Sequence, residues 1–129
     1  MLTFIIKKTI QSQNKRDKMH WAQRSKDRDD WQSRIVVQLY SVGAREYLSP
    51  KSKRMVTITS YRAKLCDIAN LIGGAKGLVD ALTRARLLVD DSPQWMECTY
   101  HQFSKKESPV KGERGAGEPC TVITLEDEP

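Results

Sequence analysis

Leu2, Phe4 and Ile6 alternate with Thr3, Ile5 and Lys7, a period of two that predicts an opening strand ending by about Thr9. Residues 11 to about 28 carry no such period. There Asn14, Lys15, Arg16, Lys18, Arg24, Lys26 and Arg28 interleave with His20 and Trp21, the chemistry of a flexible basic loop. From Ser25, placed to cap a helix with Asp27, Asp29 and Asp30 at its positive end, the residues Trp31, Ile35, Leu39 and Val42 recur at helical spacing. Gly43 closes that run.

A polar connection over residues 44 to 54 holds Ser49-Pro50 and four basic side chains, and the β-branched run Met55 to Tyr61 then predicts a second strand. Leu71, Ala75, Leu78, Val79, Leu82 and Ala85 mark the buried face of a second helix. Gly73-Gly74 cost a helix about 1 kcal/mol each, which delays its true start. Trp95 to Phe103 and Cys120 to Leu125 predict two further strands, joined by a Gly, Pro and Lys-rich hairpin loop over 104 to 119. The order strand-helix-strand-helix-strand-strand predicts an α/β (α+β) fold, a small single domain over residues 1 to 129 with two helices on a mixed sheet. Such a fold hosts many functions and selects none.

A chain of 129 residues builds one hydrophobic core and not two. The apolar start Phe4-Ile5-Ile6 is cut off by Lys7-Lys8, too short for a membrane span or a signal-peptide core, so a cytoplasmic address and no membrane partner are expected. Cys66, Cys98 and Cys120 are odd in number and lack zinc-ligand spacing, and so are expected to be small core residues. The net charge of +6 is unevenly spread: residues 1–64 carry +10 and residues 65–129 carry −4. A basic half joined to an acidic half suits a surface facing a polyanion, with carboxylates gathered elsewhere to hold a metal ion.

The carboxylates in question are Asp67, after the second strand, and the pair Asp90-Asp91, after the second helix. A helix from Ala75 to Ala85 is roughly 16 Å long, and an extended return from Arg86 to Asp91 covers about that distance, which brings Asp91 back beside Asp67. Carboxylate oxygens with room for water suit Mg²⁺ or Mn²⁺. The plainer alternatives are Asp67 as a helix cap and Asp90-Asp91 as turn residues before Ser92-Pro93. Lys76 and Asp80 share a helical face, either as a surface ion pair or with Lys76 stabilising charge on a phosphate. Gly73-Gly74-Ala75-Lys76 lacks the spacing of a phosphate-binding P-loop, and His20 and His101 are too isolated for a zinc centre. Trp31 and Trp95 read as packing residues. Trp21, within the basic stretch, is the tryptophan placed to stack on a base.

The series Asp67-Ile68-Ala69-Asn70-Leu71, Lys76, Asp80-Ala81-Leu82 and Leu88-Val89-Asp90-Asp91-Ser92 resembles the RusA family of Holliday junction resolvases. That family's signature is Asp-x-Asp-Asn-Leu opening a helix, then Lys, then Asp-Ala-Leu, then a hydrophobic approach to Asp-Asp. The likeness is close over residues 65 to 95 and only in outline beyond them. It implies a homodimeric, Mg²⁺-dependent endonuclease, phage-encoded relatives included, that cuts four-way junctions in branched DNA. Asp67, Asp90 and Asp91 are then the metal ligands, and Asp67, Lys76 and Asp91 the catalytic groups. Asn14, Lys15, Arg16, Lys18, Arg24, Lys51, Lys53 and Arg54 are then the DNA-backbone contacts. Ala69 stands where the family has its second Asp, and Asn70 to Lys76 is a longer interval than the family's. The missing carboxylate leaves as alternatives a relative that binds branched DNA without cutting it, or an adaptor with no nucleic acid role. An extended backbone at this point would let an Asp at position 69 join Asp67 on one ion; a helical one would separate the two side chains by roughly 200°.

Overall fold

The computed structural model describes residues 1–129. Four strands, β1 (Leu2–Ile6), β2 (Arg54–Arg62), β3 (Met96–Ser104) and β4 (Cys120–Asp127), form one mixed sheet in the order β1-β4-β2-β3. Four helices, α1 (Gln13–Asp17), α2 (Trp21–Val42), α3 (Ile68–Gly74) and α4 (Lys76–Arg84), complete the α+β fold.

The alternation expected of β1 is present: Leu2, Phe4 and Ile6 are buried, and Thr3 and Ile5 are exposed. In β2 the buried positions are Arg54, Val56, Ile58, Ser60 and Arg62. Phe4, Val56, Ile58, Ile123 and Leu125 meet Trp31, Ile35 and Leu39 of α2 and Leu78 and Leu82 of α4 in one core. All six positions of the second helical face, Leu71 to Ala85, are buried, while Val42 of the first is 63% exposed because the last turn of α2 overruns the core.

Two connections differ from expectation. Residues 13–17 and 21–28 are helical rather than a flexible loop, since α2 begins at Trp21 with His20 as its N-cap and not at Ser25. The His20 Nδ1 atom accepts the Ala22 N–H, and the Gln23 side chain accepts the His20 N–H, a reciprocal cap that the pattern of apolar residues does not encode. Asp27, Asp29 and Asp30 therefore lie inside the helix, where Asp27 and Asp30 each take the Lys8 ammonium at 2.7 Å.

The segment 104–119 is likewise not a hairpin between neighbours. β3 runs parallel to β2 at the sheet edge, and β4 sits on the other side of β2, so the chain crosses over β2 to reach it. A parallel pair needs a crossover, and α3 and α4 supply the one between β2 and β3. Within the segment, Lys105–Glu107 form a single 3-10 turn and Lys111↔Gly117 an isolated bridge, with Gly115 at φ 76° inside the latter.

Gly74 is demanded by packing. A Cβ there would lie 1.6 Å from the backbone oxygen of Gln11, so the segment before α1 presses directly on the end of α3. The helical run breaks at that point into α3 and α4, with Ala75 between them.

Candidate functional site

α2 and α4 pack side by side, and the arginines of one and the carboxylates beside the other line two adjoining clefts. The first, about 220 Å³, is bounded by Arg28, Asp80, Thr83, Arg84, Asp90 and Asp91 and contains no hydrophobic side chain. The second, about 200 Å³, is bounded by Arg16, Trp21, Arg24, Ser25, Arg28, Gly77 and Asp80. Arg28 and Asp80 belong to both, so the two clefts adjoin as a groove between the start of α2 and the loop after α4.

Local structure fixes each contributor. Arg24 and Arg28 are four apart on α2 and share a face, as do Asp80 and Arg84 on α4. The Arg84 Nε donates to Gln32 Oε1 at 3.2 Å, which ties the two helices together at the groove floor. Asp90 accepts the Ser92 N–H at 2.7 Å, and the Ser92 side chain together with this turn bond holds its carboxyl below the usual carboxylate range. Asp90 is thus a turn residue as well as a groove residue. Asp91 is exposed and has no such bond. The Nε of Arg28 is buried without a hydrogen-bond partner, its nearest carboxylate being Asp29 at 3.6 Å.

Asp67 occupies the N-cap position of α3, exposed, with no cap bond from its side chain. It does not line the groove. Its neighbour Cys66 is tied to β3, the Cys66 N–H donating to Gln102 Oε1 at 3.1 Å. Asp67, Asp90 and Asp91 therefore do not converge on one point, and no group of three or more His, Cys, Asp or Glu side chains does so anywhere in the chain. The expected three-carboxylate metal set is not assembled in this structure: Asp90 and Asp91 line the cleft beside α4 and Asp67 does not. Mg²⁺, which retains several waters and takes one or two protein carboxylates, fits the chemistry of Asp90 and Asp91 without a third.

Ala69 lies in the first turn of α3 and is exposed. The backbone there is helical, so the extended geometry that would bring a carboxylate at 69 to the same ion as Asp67 is absent. Lys76 opens α4, exposed, and makes no ion pair with Asp80.

Of the expected DNA contacts, Arg16 and Arg24 line the groove, whereas Asn14, Lys15 and Lys18 are exposed on or beside α1. Lys51 is exposed before β2 and Lys53 reaches Glu97 at 3.9 Å. Arg54 is not a surface residue. It is 2% exposed, and its guanidinium donates to Asp127 Oδ1, to the Tyr47 carbonyl at 2.7 Å and to the Leu87 carbonyl at 2.8 Å. Its donors are consumed inside the protein, so it offers none to a phosphate. Arg84 is a groove residue that spacing alone does not single out, and Asp80 reads from the sequence as a partner of Lys76; the signal for both is their shared face on α4.

No protein-family model and no curated protein matches this chain. No helix is long and apolar enough to cross a membrane.

Proposed function

We propose that the chain is a Mg²⁺-dependent, structure-selective endonuclease of branched DNA, acting on four-way junctions. The observation that carries this reading is the adjacency of the two clefts: Arg16, Arg24, Arg28 and Arg84 line them together with the carboxylates Asp80, Asp90 and Asp91. Arginines bind phosphodiester oxygens bidentately, and carboxylates beside them suit a hydrated divalent ion that polarises the phosphate and activates water. The ordered resemblance over residues 65 to 95 points to the same chemistry. Asp90 and Asp91 would hold the ion, and Lys76, free of any partner at the start of α4, would balance charge on the scissile phosphate.

Incubating labelled junction, duplex and single-stranded DNA of equal length with Mg²⁺ or Mn²⁺ tests the proposal in one gel. Paired cuts in the junction alone support it; absence of cutting in every substrate overturns it. A homodimer belongs to the same proposal, because two equivalent strands are cut by two equivalent centres. Light scattering that returns the mass of one chain while junction cutting persists refutes the dimer.

A second reading has its own observation. Ala69 and the dispersed carboxylates favour a relative that holds branched DNA without hydrolysing it. Junction binding with no cleavage in either metal selects that reading.

A further inference from the structure

Trp21 is 68% exposed, whereas Trp31 on the same helix is 2% exposed and part of the core. Leaving an indole in water forgoes roughly 2 kcal/mol or more of burial, so its position at the mouth of a groove requires a reason other than packing. The ring is also held in place. His20 lies against it with centroids 5.4 Å apart, and His20 is itself fixed by the two bonds that cap α2.

Three arginines line the same cleft as this indole: Arg16, Arg24 and Arg28. Arg16 and Arg24 have no carboxylate within ion-pair distance, and Arg28 carries the buried Nε without a hydrogen-bond partner. Arg16 and Arg24, without carboxylate partners, and Arg28, whose Nε lies 3.6 Å from Asp29, share the cleft with an exposed indole and one carboxylate, Asp80, and this excess of cations is complementary to a phosphate joined to a free aromatic base. A base inside a duplex has both faces covered by its neighbours and cannot lie on an indole, while an unpaired base has a face to offer.

Resting on the nuclease reading and deepening it, we infer that this cleft takes an unpaired nucleotide of a DNA strand. Its base stacks on Trp21 and its flanking phosphates lie on Arg16, Arg24 and Arg28. The shared residues Arg28 and Asp80 then place the following phosphodiester at the Asp90-Asp91 cleft. Selectivity for branched DNA follows from this arrangement, because a base at a branch point, with stacking interrupted, is unpaired at lower cost than one inside continuous duplex.

Fluorescence anisotropy of an oligothymidine strand and a fully paired duplex of equal length, with wild type, Trp21→Ala, Trp21→Phe and Arg24→Gln, tests the inference. Trp21→Ala weakens oligothymidine binding by about tenfold or more, and Trp21→Phe retains most of the affinity. Duplex binding by both variants stays within about twofold of wild type. Arg24→Gln weakens both probes and lowers the slope of log affinity against log salt by about one. Because Trp21 is exposed, the variants keep the wild-type melting profile, which circular dichroism checks. Unchanged oligothymidine affinity in Trp21→Ala, equal loss on both probes, or no oligothymidine binding by wild type overturns the inference. Cleavage separates the two claims: Trp21-dependent strand binding without cutting of any substrate refutes the nuclease alone. Junction cutting with no Trp21 effect on strand binding refutes the stacking alone.

Discussion

Arg54 and Asp127 are register partners across β2 and β4 and are joined through their side chains, Nη2 to Oδ1 at 2.8 Å and Nε to Oδ1 at 3.1 Å. The pair ties the first residue of β2 to the last of β4, and the remaining Arg54 donors hold the Tyr47 and Leu87 carbonyls. Removing the guanidinium strands two carbonyls and leaves a hole beneath Tyr47. Arg54→Ala is expected to cost about 3–5 kcal/mol, measured by urea unfolding, whereas Lys51→Ala stays within about 0.5 kcal/mol. A stable Arg54→Ala variant with weakened DNA binding would return this residue to the surface role its charge suggests.

Gly73 and Gly74 respond oppositely to alanine. Helix propensity alone favours both substitutions by about 1 kcal/mol. A Cβ at Gly73 meets the flexible end of the Gln13 side chain, which moves aside, whereas one at Gly74 meets the Gln11 backbone. Gly74→Ala is expected to destabilise by about 3 kcal/mol and Gly73→Ala to be neutral or stabilising. Thermal melts of the two single variants decide this, and equal melting points contradict it.

Acid weakens the contact between β1 and α2. The Lys8 ammonium bonded to Asp30 holds that carboxyl below its ordinary value of 3.8, with Arg34 adding to the effect against the opposing cost of burial. Since the unfolded chain binds the proton more readily, the contribution of Asp30 is present above pH 3.8 and is lost as pH falls through the lower folded value. Wild type and Asp30→Asn therefore differ in urea midpoint at pH 7 and converge as the pH falls below the folded value. A difference that persists at the lower pH assigns the effect to packing of Lys8 over Trp31, where its nitrogen lies 4.9 Å from the ring centroid.

Burial on the helix-facing side of β3 pushes the Cys98 thiol from 9.0 up to about 11, partly offset by its bond to Tyr100. At pH 8 the thiolate is then about a hundredfold scarcer than in the unfolded chain. Iodoacetamide at pH 8 is expected to modify Cys98 about a hundred times more slowly in the folded protein than in urea. Equal rates, read by peptide mass spectrometry, exclude the buried setting.

On the proposed nuclease reading, Asp91→Asn is expected to lower junction cleavage by about 100-fold or more while junction binding is unchanged or slightly tighter, since that reading makes Asp91 a metal ligand and its charge repels phosphate. Asp67→Asn has the same direction and a smaller effect, because Asp67 stands outside the groove. Lys76→Ala lowers the rate with little change in the Mg²⁺ midpoint. Joint loss of binding and stability in Asp91→Asn assigns that residue to the turn instead.

Local pattern decided the elements that packing then used. The alternation in β1, the β-branched run of β2 and the faces Trp31-Ile35-Leu39 and Leu71 to Ala85 are legible because burying one face forces a period of 2 or 3.6 on the residues. The left-handed residue ending α2 is legible as Gly43, at φ 66°. The start of α2 is not, because its cap is a histidine and its first two turns project basic side chains with no apolar stripe to mark them.

Tertiary structure alone decided what those residues do. Charge along the chain grouped Arg54 with Lys51 and Lys53, yet alternation along β2 turns Arg54 inward, where Asp127 waits 73 residues away. Strand order was equally hidden: β3 and β4 are consecutive in sequence but separated by β2, since sheet neighbours are chosen by long-range pairing that no local signal encodes. The groove arises the same way. Arg28 and Asp80 come from helices far apart in the chain, and only the packing of α2 on α4 makes them the walls of one cleft.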